Sequence, residues 1–369
     1  MSLRDKISTQ GSISAGPDIF ARFGYLSNPF PTSSQTTNNP HFPVPADEAA
    51  EQRIVSFLRD GKSQVVVVEG TQGVGKTNFL NFFETEIQDA LRDQDGYYVV
   101  RYLADPEASF EGTIRRLFQE LGADHLVKMA EELKTRTDAI ELARSQEMRT
   151  AFRSLMDGAA GDQGPDLMMQ WLLGFRLLKS HRECLGVQFR LDTVESKTAA
   201  LRDLVIVSSA IGLLKGIFLL LDELEKQDGV LGATAVVRYL SAMRAIIDSL
   251  PNHLFMMIAV TPDAMRRYSS ALPAFRSRLQ NQITLTALSS VEEALSLANF
   301  YLKTGKDEAL KVKGTSGGLQ ELVTEGGMIE LYESLRKSGE RRGDTGVRQR
   351  EFLHQLHNRA EGVIQGTSS

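Results

Sequence analysis

The stretch VVVVEGTQGVGKT, residues 65–77, decides the fold of this chain. Its four consecutive valines are β-branched and form an apolar run without alternation, which is typical of a parallel-sheet strand covered on both faces. A glycine-rich turn follows, and the apolar-periodic segment 78–91 comes next and should be a helix. This order of strand, loop and helix predicts an α/β domain built on a parallel sheet.

The glycine-rich turn has the spacing G-x-x-x-x-G-K-T, which predicts a nucleotide-binding loop. Glycines let successive backbone N–H groups turn inward, and together with the positive end of the following helix these groups surround a polyphosphate. We expect Lys76 to reach the β and γ phosphates and the Thr77 hydroxyl to ligate Mg²⁺. A chance glycine turn is the alternative, which the flanking strand and helix disfavour. The candidate nucleotide-binding residues are Gly70, Thr71, Gln72, Gly73, Val74, Gly75, Lys76, Thr77 and Asn78.

Composition narrows the class of protein. With 369 residues, 42% hydrophobic and 24% charged, the chain has the make-up of a soluble globular protein of about two domains. Its net charge of −5 argues against coating DNA by charge alone, although a local basic patch stays possible. No apolar run approaches membrane-spanning length, the N-terminus shows no export signal, and the single cysteine, Cys184, cannot form an intramolecular disulfide. We therefore expect a cytoplasmic protein that does not engage membranes.

A second motif, IFLLLDE, covers Ile217–Glu223. The apolar run indicates a central strand, and its carboxyl end presents Asp222 and Glu223 where ligands of open α/β sheets bind. We expect Asp222 to hold the Mg²⁺ shell and Glu223 to polarise the attacking water. A hydrophobic strand that ends in an acidic turn is common by itself, but the upstream phosphate loop favours the functional interpretation.

Three further polar residues are candidates for the site. Thr261 follows the predicted strand Leu254–Val260 and can orient the water, cap the next helix, or do both. Arg276 and Arg278 precede the predicted last strand, Gln282–Leu288, where a guanidinium could reach the nucleotide of a neighbouring subunit. A solvated basic face is the alternative for these two arginines.

Composition and hydrophobic periodicity along the chain predict that it is divided into three regions. Residues 1–45 are rich in Ser, Thr, Asn, Gly and Pro and should form an arm, within which the aromatic segment FGYLSNPF, residues 23–30, should pack onto other structure. Residues 46–289 should form the α/β domain, enlarged by a long helical insertion over about 122–214. Residues 290–369 show only helical patterns and should form a lid domain.

This constellation resembles the AAA+ ATPases, within them the origin-recognition and initiator-loading branch, to which transposon and secretion ATPases are related. GTQGVGKT corresponds to Walker A, IFLLLDE to Walker B, and Thr261 of AVTP to sensor 1. AFRSRL supplies the arginine finger, Arg278 by preference and Arg276 second, and Arg348 stands at the position similar to sensor 2. The resemblance implies a three-layer α/β/α domain with a five-stranded parallel sheet and a helical lid.

A closer resemblance lies in the inserted helices. The stretch WLLGFRLLKSHRECLGV, residues 171–187, followed by LLKGIFLLLDELEK, looks like the ATP-binding proteins of BREX-type phage-defence loci. The resemblance implies ATP and Mg²⁺ as ligands, ATP hydrolysis, assembly into a homo-oligomeric ring or filament, and action on DNA or a DNA-bound partner. The segment FGYLSNPF looks like the entry segment of the secretion-type ATPases, a resemblance which implies that it lies near the adenine.

Two functional hypotheses remain open at this point. One is an oligomeric Mg-ATPase that acts on DNA or a DNA-bound partner in genome defence or mobile-element control. The other is a nucleotide-gated scaffold or switch with little turnover. A helicase or translocase is less well supported, because the chain has no helicase motif beyond those that all such ATPases share. His354 and His357 lie three residues apart without a third ligand and indicate packing rather than a metal site. The candidates for DNA phosphate contacts are Arg266, Arg267, Lys337, Arg341 and Arg342.

Overall fold

The computed structural model describes residues 19–32, 39–103, 110–222, 233–279, 281–313 and 320–366. Contacts divide the chain into two compact units. We call residues 44–70 and 79–285 the sheet unit, and residues 1–43, 71–78 and 286–369 the helical unit. The glycine-rich loop thus groups with the helical unit, although it interrupts the sheet unit in the chain.

The sheet unit is built on five parallel strands in the order β2-β3-β4-β1-β5. The strands β3 and β4 are buried along their whole length, as are all four valines of β1, because helices flank the sheet. The five-stranded parallel sheet predicted from the sequence is therefore confirmed. The strands are β1 (Gln64–Glu69), β2 (Tyr97–Leu103), β3 (Gly216–Asp222), β4 (Leu254–Val260) and β5 (Asn281–Thr284).

Side chains alternate between the two faces of this sheet, and each face is covered. On one face, Leu219 and Leu221 belong to a core shared with the helices between β2 and β3. On the other face, Phe218 of β3 meets Phe57, with ring centroids 5.1 Å apart, from the helix α1 that precedes β1. The predicted three-layer α/β/α class is confirmed. The helices that precede β2 are α1 (Pro45–Asp60) and α2 (Lys76–Ala90).

The described residues between β2 and β3 form helices joined by loops, and the first of these helices begins at Phe110, before the start of the insertion expected near residue 122. At Gly122 the backbone φ of 74° interrupts the first of these helices, so one long element bends into two. Trp171 is buried and its indole Nε1 donates to the Phe189 carbonyl at 2.9 Å. The helices are α3 (Phe110–Thr135), α4 (Gln146–Met156), α5 (Gly164–Leu172), α6 (Lys179–Leu185) and α7 (Val194–Ala210).

The last strand is shorter than its sequence pattern predicts. The prediction covered Gln282–Leu288, but β5 ends at Thr284. Its neighbour β1 ends at Glu69, whose carbonyl still accepts from the Leu285 N–H at 2.8 Å, and beyond this point β5 has no partner strand. Leu288 instead forms an isolated antiparallel bridge with Val347 inside the helical unit. The remaining helices of the sheet unit are α8 (Ala233–Ser249), α9 (Pro262–Ala271) and α10 (Pro273–Arg276).

The helical unit has its own core. The aromatic segment predicted to pack does so, since Phe23, Tyr25 and Phe30 are buried against the C-terminal helices. Polar contacts hold it there, because the Asn28 amide donates to the His357 carbonyl at 3.1 Å and His357 Nδ1 lies 2.7 Å from the Phe30 carbonyl. No helix that the structure describes is long and apolar enough to cross a membrane. The helices are α11 (Val291–Lys313), α12 (Glu325–Arg341) and α13 (Gln349–Gly366).

A buried histidine should make the stability of the sheet unit depend on pH. His125 of α3 is 2% exposed, with Nδ1 2.7 Å from the Tyr98 hydroxyl and Nε2 2.8 Å from the Ser208 hydroxyl. Burial, helped by the nearby Lys128, lowers the pKa of His125 from 6.5 to about 4. Between pH 6.5 and about pH 4, His125 is protonated in the unfolded chain but neutral in the folded chain. The free energy of unfolding therefore falls as the pH decreases.

Because of His125, we expect the free energy of unfolding to fall by about 2 kcal/mol when the pH is lowered from 7.5 to 5. Urea unfolding of the wild type and of His125→Gln at both pH values measures this difference. The variant should be less stable at pH 7.5 but should lose less stability on acidification. An equal loss in both proteins would contradict the assignment.

Candidate functional site

The glycine-rich loop adopts a conformation that its glycines make possible. Gly73 and Gly75 have φ angles of 83° and 103°, a left-handed region that other residues rarely enter. The loop leads into α2 at Lys76, whose side chain is 8% exposed and whose Nζ donates to the Thr71 carbonyl at 3.2 Å. A buried ammonium group is thus held within a loop of the type that the sequence predicts for phosphate binding.

The start of α13 lies against this loop, within the helical unit. The Arg350 N–H donates to the Gly73 carbonyl at 3.0 Å. A Cβ added at Gly75 would lie 3.0 Å from the Gln349 side-chain oxygen, and one added at Gly73 would lie 3.5 Å from the Arg348 Cβ. Glycine at position 75 therefore permits a close approach to Gln349, whereas at Gly73 it is the positive φ that favours glycine.

Arg348, the residue similar to sensor 2, consequently lies beside the glycine-rich loop. Its Nη2 donates to Asp344 at 2.9 Å, and this contact holds the pKa of the Asp344 carboxyl below its usual range. Its Nε is buried without a hydrogen-bond partner in the described part of the chain. The assignment of Arg348 to nucleotide binding stays a prediction, and its position beside the loop supports it.

The last residue of the predicted nucleotide site, Asn78, is anchored to the N-terminal segment. Its amide donates to the Asn39 carbonyl at 3.0 Å, and its Oδ1 lies 2.9 Å from His41 Nδ1. The Tyr301 hydroxyl donates to the neighbouring Pro40 carbonyl at 3.2 Å, and burial raises the pKa of Tyr301 to about 12. A pocket of about 130 Å³ lies in this part of the helical unit, lined by residues 26–31, Asn39, Pro40, Tyr301, Thr304, Gly305 and Glu308.

In the sheet unit, polar groups gather at the carboxyl edge of the central strands. Asp222 ends β3 and is 1% exposed, and Thr261 directly follows β4. Gly70 follows β1 and donates to the Val260 carbonyl at 3.2 Å, which places the ends of β1 and β4 side by side. Glu223, the predicted water-polarising residue, lies outside the described residues.

Arg101 of β2 binds the buried Asp222, and sequence reasoning missed this residue. Its Nη2 donates to Asp222 Oδ2 at 2.8 Å and to Asn81 Oδ1 at 3.2 Å, and its Nε lies 3.7 Å from Glu84. Its Nη1 is buried without a hydrogen-bond partner in the described part of the chain. The sequence did contain a signal for this contact. The strand YYVVRYL has a single charged residue, and a buried arginine requires a carboxylate partner.

Thr261 caps α9, one of the two roles expected for it. Its hydroxyl accepts from the Ala264 N–H at 3.4 Å, so it satisfies one of the free donors at the start of the helix. Its role in orienting water stays a prediction.

The two arginine-finger candidates differ in their surroundings. Arg278 Nε donates to Asp248 at 2.5 Å, and this hydrogen bond raises the pKa of Arg278. Arg276, at the end of α10, is exposed and has no ion-pair partner among the residues that the structure describes. The described residues thus hold Arg278, but not Arg276, in an ion pair, and the arginine-finger role of either residue stays a prediction.

The five candidates for DNA phosphate contacts are divided between the units. Arg266 and Arg267 belong to α9 of the sheet unit, whereas the other three lie at the end of α12 in the helical unit. Arg266 pairs with Asp263, and Arg342 pairs with Asp344 and with Glu351. The role of all five residues in binding phosphates stays a prediction.

Comparison with known proteins identifies a family. A sequence model described as "BREX system ATP-binding protein BrxC/D" matches residues 118–314, which is more than half of the chain. No curated protein matches the sequence.

Solved structures with a similar chain course include the ORC2 protein of Aeropyrum pernix in ADPNP-ADP complexes. It has a TM-score of 0.44 and 13% identity, over 90% of this chain and 72% of that one. Its ADP form has a TM-score of 0.41 and 12% identity, over 89% and 73% of the two chains. The Walker-type ATPase PABY2304 of Pyrococcus abyssi has a TM-score of 0.35 and 13% identity, over 91% and 76%.

Proposed function

Because the chain belongs to the BREX system ATP-binding protein BrxC/D family, we propose that it is a magnesium-dependent ATPase. It oligomerises on binding ATP and acts on DNA or a DNA-bound partner in genome defence. The observation that carries the proposal is the glycine-rich loop. Gly73 and Gly75 have positive φ angles and directly precede a helix whose first residue, Lys76, is buried.

The loop fits a polyphosphate chemically. A helix N-terminus favours negative charge because its first N–H groups have no partner within the helix. Lys76 adds a full positive charge, and its present contact with the Thr71 carbonyl is one that a phosphate oxygen can replace. The segment Asn39–His41, which binds Asn78 beside the loop, makes the neighbouring pocket the candidate site for the adenine.

The residues proposed for Mg²⁺ also suit that ion. The Thr77 hydroxyl and the Asp222 carboxylate are the hard oxygen donors that Mg²⁺ prefers. Arg101 holds one Asp222 oxygen at 2.8 Å and so fixes the orientation of the carboxylate. The bound ion would neutralise charge on the phosphates during transfer.

Hydrolysis then requires a water molecule and a positive charge on the far side of the phosphate. We assign Glu223 to polarising the water and Thr261 to orienting it. An arginine from a neighbouring protomer supplies the charge, and the free position of Arg276 makes it the better candidate, ahead of the paired Arg278.

Sedimentation velocity of the wild type and of Glu223→Gln, with and without Mg-ATP and duplex DNA, tests this function. Removing the water-polarising carboxylate should slow hydrolysis on the order of 100-fold or more while leaving ATP binding intact. We therefore expect ATP to produce a discrete larger species that is more abundant and longer-lived in the variant.

Arg276→Ala and Arg278→Ala are compared with each other, and both should bind ATP, because a finger acts on the nucleotide of the neighbouring protomer and not on its own. Loss of turnover in Arg276→Ala alone would identify the finger. A protein that stays monomeric in every condition would show that ATP does not drive assembly. Assembly with no turnover, even with DNA, would favour the nucleotide-gated scaffold instead.

A further inference from the structure

The helical insertion exposes large apolar side chains on two neighbouring segments. Phe175, Leu178 and Phe189 are 50%, 65% and 70% exposed. Single exposed apolar residues are common, but two exposed phenylalanines on adjoining segments are a feature of binding surfaces. We call this surface, with Arg176, Lys179 and Arg190, the insertion patch.

Hydrogen bonds join the two segments that form the patch. Arg190 Nε donates to the Gly174 carbonyl at 2.6 Å, and Trp171 Nε1 donates to the Phe189 carbonyl at 2.9 Å. Gly174 has a φ of 80°, and a Cβ there would lie 3.0 Å from the Leu191 carbonyl, so the segments approach each other closely. Phe175 follows Gly174 in the chain, and the Phe189 carbonyl takes part in the contact itself, so both rings belong to the joined segments.

The positive charges of the patch are poorly neutralised. Arg176 and Arg190 form no ion pair with any carboxylate of the described residues, although many other surface arginines of this chain do. Lys179 has only an exposed contact of 3.7 Å with Glu183. The nearby Glu147 accepts from the Gln188 and Phe189 N–H groups, which occupies one of its oxygens. The patch thus combines exposed rings with available guanidinium groups in a chain of net charge −5.

We propose that the insertion patch binds single-stranded nucleic acid, with bases stacked on Phe175 and Phe189. Unpaired bases expose faces that can stack on aromatic rings, whereas the bases of a duplex do not. Arg176, Lys179 and Arg190 contact the phosphates. Unpaired cations favour a polyanion over an apolar protein partner or a second copy of this chain. The inference deepens the proposed action on DNA and rests on it, but it does not depend on the nucleotide site.

Fluorescence anisotropy with a labelled oligothymidylate tests the proposal. Phe175→Ala and Phe189→Ala should each weaken binding about tenfold, because each removes one stacking surface. Phe175→Trp and Phe189→Trp should retain the wild-type affinity. Arg176→Gln should weaken binding and lower the slope of log affinity against log salt by about 0.7.

Leu178→Ala is the matched control, since Leu178 is equally exposed on the same patch but has no aromatic ring. It should change the affinity less than about twofold, because stacking requires a π face. A loss equal to that of Phe175→Ala would indicate an apolar protein-docking surface and overturn the proposal. Absence of oligothymidylate binding by the wild type would overturn it as well.

Two measurements separate this inference from the proposed function. Thermal unfolding should be unchanged in the variants, since the replaced side chains are exposed. Binding of a fluorescent ATP analogue should also be unchanged. If the wild type binds oligothymidylate and the alanine variants bind equally well, the patch assignment is wrong while action on DNA still stands. If the wild type fails to bind the ATP analogue, the proposed function is wrong whatever the patch does.

Discussion

Lys76→Ala should abolish ATP hydrolysis and weaken ATP binding on the order of 100-fold, with the chain still folded. Lys76 brings a full positive charge into a loop where it is 8% exposed. Losing one partner of a buried charge pair costs about 3 kcal/mol, which is roughly 100-fold in affinity. Titration calorimetry with Mg-ATP and a steady-state phosphate-release assay measure the two effects.

Lys303→Ala is the control for Lys76→Ala. Lys303 is an exposed lysine of α11, and its removal changes the net charge by the same amount. This variant should bind and hydrolyse ATP like the wild type. If Lys76→Ala unfolds at the same temperature as the wild type, its loss of ATP binding is a local effect and not a result of unfolding. Unaltered affinity for ATP in Lys76→Ala would mean that the loop does not hold the phosphates, and the proposed function would fail.

Arg101→Met should destabilise the sheet unit by about 3–5 kcal/mol in the absence of nucleotide. The substitution keeps an apolar stem but removes the guanidinium, so Asp222, 1% exposed, loses a partner at 2.8 Å. Removing the guanidinium from a buried carboxylate is costly because the protein interior solvates the remaining charge poorly. The midpoint and slope of urea unfolding give the change in free energy.

Asp222→Asn distinguishes the charge pair from a simple packing effect. The single variant should cost less than Arg101→Met, because Arg101 keeps its contacts with Asn81 and Glu84. The double variant Arg101→Met/Asp222→Asn should recover part of the loss, giving a non-additive cycle. Additive effects would show that the two side chains do not stabilise each other.

Much of the fold follows from contiguous residues. The strand Leu254–Val260 has the bounds that its apolar run predicts. The glycine spacing of residues 70–77 likewise indicated the left-handed backbone that the loop adopts. Burial on both faces of a sheet and the conformational freedom of glycine both show in local sequence.

The limits of elements depend on distant partners. The strand-like sequence pattern of Gln282–Leu288 continues past the point where β1 ends. The strand predicted from the sequence is therefore longer than β5, which ends at Thr284. A strand needs a neighbour for its hydrogen bonds, and no local pattern reveals where that neighbour ends.

The sequence by itself therefore determined the five-stranded α/β class, the helical character of the residues between β2 and β3, and the glycine-rich loop before α2. Only the tertiary structure decided that Arg101 binds Asp222, that Arg348 lies beside Gly73, and that Arg278 rather than Arg276 is paired with a carboxylate. Arg101 and Asp222 are 121 residues apart in the chain. The choice of partner for a charged side chain depends on which groups the folded backbone brings within a few ångströms, and hydrophobic periodicity carries no information about that distance.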